Sequence, residues 1–115
     1  MTYSVEITDS AFGMIHAAVR YIAEDCKSPL NASRWLEQVW DAVATLEQMP
    51  QRFPLAPEDP FKPYEVRRAL VGDYLILFNV DDEASKVWII GFRHGSRTPR
   101  PQDLPGSAPG RGFDG

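Results

Sequence analysis

The chain has 115 residues, 43% of them apolar and 11% aromatic, and a formal net charge of −4. That length allows one small domain with a single core, and that composition is globular rather than disordered. The acidic balance argues against a broad, sequence-blind grip on nucleic acid, and no apolar run nears the roughly 20 residues needed to span a bilayer.

The charge is uneven. Residues 1–61 hold four basic and nine acidic side chains, whereas residues 62–100 hold seven basic and five acidic. A local basic patch in the second half is therefore expected. The start, Met1-Thr2-Tyr3-Ser4-Val5-Glu6, has neither the basic region nor the apolar core of a signal peptide. The single cysteine, Cys26, allows no internal disulfide and no metal cluster, and reads as a small apolar residue near a helix end. A cytoplasmic address, no bound metal and no cofactor are the expectations.

Tyr3-Ser4-Val5-Glu6-Ile7-Thr8 alternates apolar and polar residues, the pattern of a half-buried strand. Asp9 or Ser10 offers an N-cap. Phe12, Ile15, Val19, Ile22 and Cys26 then recur at helical steps, with His16 at the edge of the stripe. Lys27-Ser28-Pro29 reads as a break, a cap and a first-turn proline. A second helix follows to about Met49, its stripe formed by Ala32, Trp35, Leu36, Val39, Trp40, Val43, Leu46 and Met49. The short link between the helices predicts an antiparallel hairpin.

Pro50, Pro54, Pro57, Pro60 and Pro63 make the next crossing stiff and extended. Strands are predicted at about 65–71, 74–80 and 86–93, joined by Gly72-Asp73 and by the acidic turn Asp81-Asp82-Glu83-Ala84-Ser85. Beyond Thr98 the only large apolar residues are Leu104 and Phe113 among prolines and glycines, so a folded domain over 1–98 and a flexible tail over 99–115 are expected. The order β-α-α-β-β-β predicts a two-layer α+β fold, with the N-terminal helical hairpin packed on a mostly antiparallel sheet.

Trp88, Ile90 and Phe92 alternate with Val87, Ile89 and Gly91. Both faces of the last strand are therefore apolar, which calls for a cover on the second face, from the chain or from a partner. Cations gather where strands emerge: Arg67 and Arg68 at the start of one, and Arg93-His94-Gly95-Ser96-Arg97 at the end of another, with Tyr74 nearby. Guanidiniums at strand ends grip anions or acidic surfaces. The same set could serve metal-free RNA cleavage, with His94 passing a proton and Arg67, Arg93 and Arg97 neutralising the phosphorane.

Trp35-Leu36, Leu46 through Met49-Pro50, Arg52-Phe53-Pro54-Leu55-Ala56, Arg67 to Val80 and Arg93-His94-Gly95-Ser96-Arg97 follow one another over residues 3–98. In that order they resemble the RelE/ParE superfamily of bacterial type II toxin-antitoxin toxins. The nearest branch is ParE, where a strand runs into His-Gly-x-Arg. The resemblance implies a toxin neutralised by a cognate antitoxin that wraps its sheet and hairpin, in a heterotetramer or a larger complex, within a plasmid-stabilisation type of system. The two-sided apolar strand then makes the face of Trp88, Ile90 and Phe92, or its opposite, the expected antitoxin contact, and the strand-end cations Arg67, Arg68, Arg93, His94 and Arg97 the expected target contacts.

ParE-like members block DNA gyrase and are not enzymes, whereas RelE-like members cleave messenger RNA on the ribosome. The pI near 5.1 and the absence of any tyrosine beyond Tyr74 favour the ParE alternative. A ribosome-dependent endoribonuclease and a member that has lost toxicity are the other readings.

Overall fold

The computed structural model describes residues 2–25 and 27–109. The strand β1 (Ser4–Ile7) leads into α1 (Asp9–Arg20), a widened helical turn (Tyr21–Asp25) and α2 (Pro29–Thr45). The proline-rich crossing then reaches β2 (Arg67–Val71), β3 (Tyr74–Asp81) and β4 (Lys86–His94). One sheet results, in the order β1-β4-β3-β2, with β1 parallel to β4 and the other pairs antiparallel. This is the expected α+β architecture, and the parallel pair arises because the helical hairpin carries the chain across one face before β2, β3 and β4 meander back. Among the described residues, no helix is long and apolar enough to cross a membrane.

Thr8 caps α1, not Asp9 or Ser10: its Oγ1 accepts from the Ala11 N–H at 3.2 Å. Asp9 thereby falls in the first turn, where its charge suits the unpaired N–H groups. Ala11 and Ile15 are buried, while Phe12 is 44% exposed and meets the His16 ring at a tilt of 49° with ring centroids 4.5 Å apart. The helix α2 stops at Thr45, short of the expected Met49, and Met49 itself takes a φ of 45° before Pro50. A residue that precedes proline is disfavoured in the α region, so the helix cannot run up to it. Met49 consequently lies at the surface; Trp40, within α2, is 37% exposed, and Ala32, Val39 and Leu46 hold the buried stripe. Cys26 lies outside the described residues.

Two apolar clusters sandwich the sheet. On the helical face, Ala11, Ile15, Val39 and Leu46 pack against Val71, Ile76, Phe78, Val87, Ile89 and Phe92. On the opposite face, Ala56 and Val66 of the proline-rich segment and Leu104 pack against Leu75, Leu77 and Ile90, with Tyr64 and Trp88 at the margin. Leu104 departs from the expectation of a tail free of the domain: it is 6% exposed, just after a 3₁₀ turn over Pro101–Asp103. Lys62 Nζ donates to the Leu104 carbonyl at 3.1 Å, and the Tyr64 hydroxyl donates to the Pro105 carbonyl at 2.6 Å. One large side chain with two polar ties suffices to lay the segment on the sheet. Phe113 lies outside the described residues.

A bulge in β4 also redistributes its side chains. Phe78 faces Ile89 and Leu77 faces Gly91, so Ile90 is the extra residue. The bulge shifts the alternation by one. Trp88 and Ile90 belong to the tail side, whereas Phe92 returns to the helical side. The expected single face of Trp88, Ile90 and Phe92 is therefore split, and Ile90 and Phe92 are covered by the chain's own residues.

Candidate functional site

Arg67 and Arg68 do not join Arg93, His94 and Arg97 at one end of the sheet. Val71 pairs with Tyr74 and Tyr74 pairs with His94, so the end of β2 lies at the level of the end of β4. Two reversals restore the strand direction, which places the start of β2 away from that level. Arg67 instead sits opposite Phe78, on the sheet's outer strand. There its Nε bonds to Glu65 at 2.8 Å, and its terminal nitrogen donates to the carbonyls of Gln51 at 3.0 Å and Phe53 at 2.5 Å. Arg68 reaches the Leu55 carbonyl with Nε at 3.4 Å. Both hold the proline-rich crossing against β2.

At the end of β4, Arg93 and His94 diverge to opposite faces, as adjacent strand residues must. Arg93 meets Glu58 of the crossing in a two-pronged ion pair, Nε to Oε2 at 2.7 Å and a terminal nitrogen to Oε1 at 3.3 Å. Glu58 is 1% exposed, so the pair stands in a nearly dry site. Arg93's other terminal nitrogen donates to the carbonyls of His94 and Arg97, each at 3.3 Å, and closes the turn that follows. Gly95 helps on the other side, its N–H donating to the Asp73 carbonyl at 2.7 Å. A Cβ there would come within 3.1 Å of that oxygen.

The His94 ring lies edge-on to Tyr74, which stacks on Phe92 and meets Trp35 of α2. The Ser96 N–H donates to His94 Nδ1 at 3.0 Å, and Ser96 Oγ lies 2.7 Å from the same nitrogen. Because Nδ1 accepts from a backbone donor, the neutral ring carries its proton on Nε2. Arg97 projects from the turn; its guanidinium has no hydrogen-bond partner among the described residues.

These groups border a cleft of about 710 Å³ between α1 and the segment after Thr98. Met14, Ala17 and Ala18 give it an apolar wall, Gly91 and Phe92 its base, and His94, Arg97 and Arg100 a basic rim. Arg100 is engaged by Asp103 at 3.0 Å on the surface. The acidic turn is bound up elsewhere: Asp82 accepts from Tyr3 at 2.7 Å and Asp81 from the Ala84 N–H at 3.2 Å.

Sequence reasoning missed Glu58, Leu104 and the bulge. Glu58 stands in Pro57-Glu58-Asp59-Pro60, a setting that normally marks a solvated turn, so nothing local pointed to it. The bulge did have a signal, since an isolated glycine inside a strand pattern, Gly91, often marks one.

No curated protein sequence matches this chain. Its fold is similar to that of a chromosomal ParDE TA system from P. aeruginosa, with 18% identity over 81% of this chain and 96% of that one and a TM-score of 0.63. An archaeal RelE-RelB complex from Pyrococcus horikoshii is similar at 20% identity over 85% of this chain and all of that one, with a TM-score of 0.51. The sequence model for the ParE toxin of the type II toxin-antitoxin system parDE matches residues 5–99. The chain therefore belongs to the ParE toxin family of type II toxin-antitoxin systems.

Proposed function

We propose that this ParE-family toxin arrests growth by binding DNA gyrase, without cutting RNA, and that a cognate antitoxin holds it inactive. The observation that carries the reading is how the strand-end cations are used. Metal-free cleavage needs a proton-transfer group and several cations converging on one phosphate. Here Arg67 lies on the outer strand, bonded to Glu65 and to backbone carbonyls, and Arg93 is committed to the buried carboxylate of Glu58. What the cleft offers a ligand is Arg97, the edge of His94 and an apolar wall, a surface suited to holding an acidic protein segment. Similarity to the ParDE system supports a protein antitoxin as one such ligand.

The test is induced expression with messenger RNA and cell shape followed together. Filamentation with intact messages is expected, unchanged in kind by His94→Ala and reduced at least tenfold by Arg97→Glu, which would repel an acidic partner. Site-specific cuts in ribosome-bound messages, abolished by His94→Ala, would overturn the proposal in favour of an endoribonuclease. Normal growth on induction would mean a member that has lost toxicity.

A further inference from the structure

The family match ends at residue 99, yet the ordered chain continues and packs. Leu104 enters the second core directly above Gly91, where a Cβ would stand 2.6 Å from Leu104 Cδ2. The absent side chain at Gly91 is what lets this leucine sit down on the sheet. Its carbonyl is held by Lys62 and the next one by Tyr64. Thr98, Arg100, Asp103 and Leu104 thereby form the wall of the cleft that faces Ala17 and Ala18 of α1.

We infer that residues 98–105, which from residue 100 onward lie beyond the family match, are a specificity strap that sets the width and charge of the cleft and so decides which partner segment enters it. The inference rests on the reading that the cleft receives a protein partner. Three features support it. The strap is anchored on the far face of the sheet, so its position does not depend on the ligand. It carries Arg100 to the rim beside Arg97, while Asp103 balances Arg100 in the free chain. A ligand carboxylate can take over the Arg100 guanidinium, because an exposed pair of this kind is weakly held. The favoured occupant is an acidic protein segment whose apolar side chains fit the small-residue wall of α1. Family members that end at the matched region would lack this wall and accept broader segments.

The experiment compares the full-length toxin with Leu104→Ala and Tyr64→Phe. The probes are two antitoxins: the one encoded beside this gene, and that of the P. aeruginosa ParDE system as a non-cognate partner. Hydrogen exchange at the Leu104 amide, which donates to the Pro101 carbonyl at 3.0 Å, reports whether the strap has been freed. Wild type should bind its own antitoxin and discriminate against the other. Both variants should exchange faster at Leu104 and lose discrimination, Leu104→Ala at least tenfold and Tyr64→Phe about fivefold, as the loss of one hydrogen bond implies. Unchanged discrimination in a variant with a demonstrably freed strap would overturn the inference and leave the partner reading intact. Failure of wild type to bind its own antitoxin would overturn both. Should Leu104→Ala fail to fold, Tyr64→Phe, which removes one hydroxyl at the strap's margin, decides alone.

Discussion

On its helical face the sheet is closed by Ala11 and Ile15, four residues apart on α1, and by Val39 and Leu46, seven apart on α2 and its C-cap, all helical steps. On the other face it is closed by Ala56, Val66 and Leu104, which share no periodicity and come from two irregular segments. The first face is a continuous apolar layer that needs no specific polar contact. The second is thin and relies on particular bonds: Arg93 with Glu58, Lys62 with the Leu104 carbonyl, Tyr64 with the Pro105 carbonyl. Periodic faces tolerate local change because many residues share the burial. Irregular covers concentrate their stability in a few pairs, and those pairs also position the cleft.

The largest expected effect lies on the helical face. Phe78 is fully buried and meets Phe53 edge-on, with ring centroids 5.7 Å apart. Phe78→Ala should cost about 3–5 kcal/mol, a large part of the roughly 5–15 kcal/mol that holds a small domain together. Urea unfolding of the purified toxin would measure it. A loss under about 1 kcal/mol would mean that the layer beneath the hairpin is not the main core.

Next comes the joint between the two faces. Removing one partner of a buried ion pair leaves an uncompensated charge and typically costs 3–5 kcal/mol, whereas replacing both with apolar groups can be neutral. Glu58→Gln should therefore destabilise by about 3 kcal/mol, and the double change Glu58→Leu with Arg93→Met should recover most of it. The double variant should still lose partner binding, because Arg93 no longer ties the carbonyls of His94 and Arg97 together. Recovery of both stability and binding would separate the pair from the cleft.

This contrast explains how much was legible in the sequence. Element order, both helices and the two reversals that join β2 to β3 and β3 to β4 follow from period and turn chemistry, and those are local signals. Arg67 and Arg93 lie apart for a topological reason: each hairpin reverses direction, so the end of β4 aligns with the end of β2 and not with its start. Glu58 and Leu104 were invisible for an energetic one. A carboxylate between prolines and a leucine in a proline- and glycine-rich tail are buried only because a distant partner, Arg93 or the notch at Gly91, is waiting for them. No window of the sequence contains both halves of either contact.

The smallest effect sharpens the comparison furthest, since it should touch only the thin face. Burial pushes the Tyr64 hydroxyl from 10.0 up to about 12, and its proton is directed at the Pro105 carbonyl. The fold thus favours the neutral phenol. A group whose pKa is raised on folding contributes stability that is fully present below its unfolded value and is lost as pH rises through the folded one. Tyr64 should therefore hold the strap unchanged below about pH 10 and release it between about pH 10 and 12. Exchange at the Leu104 amide should accelerate over that window beyond the intrinsic rise, while the amide of Val39, on the helical face, should follow the intrinsic rise alone. Tyr64→Phe should remove the pH-dependent part and cost about 1 kcal/mol at neutral pH, the usual net contribution of one hydrogen bond. If the helical-face signals moved in step with the strap, the two faces would open as one unit. The division between a shared core and a pinned cover would then fail.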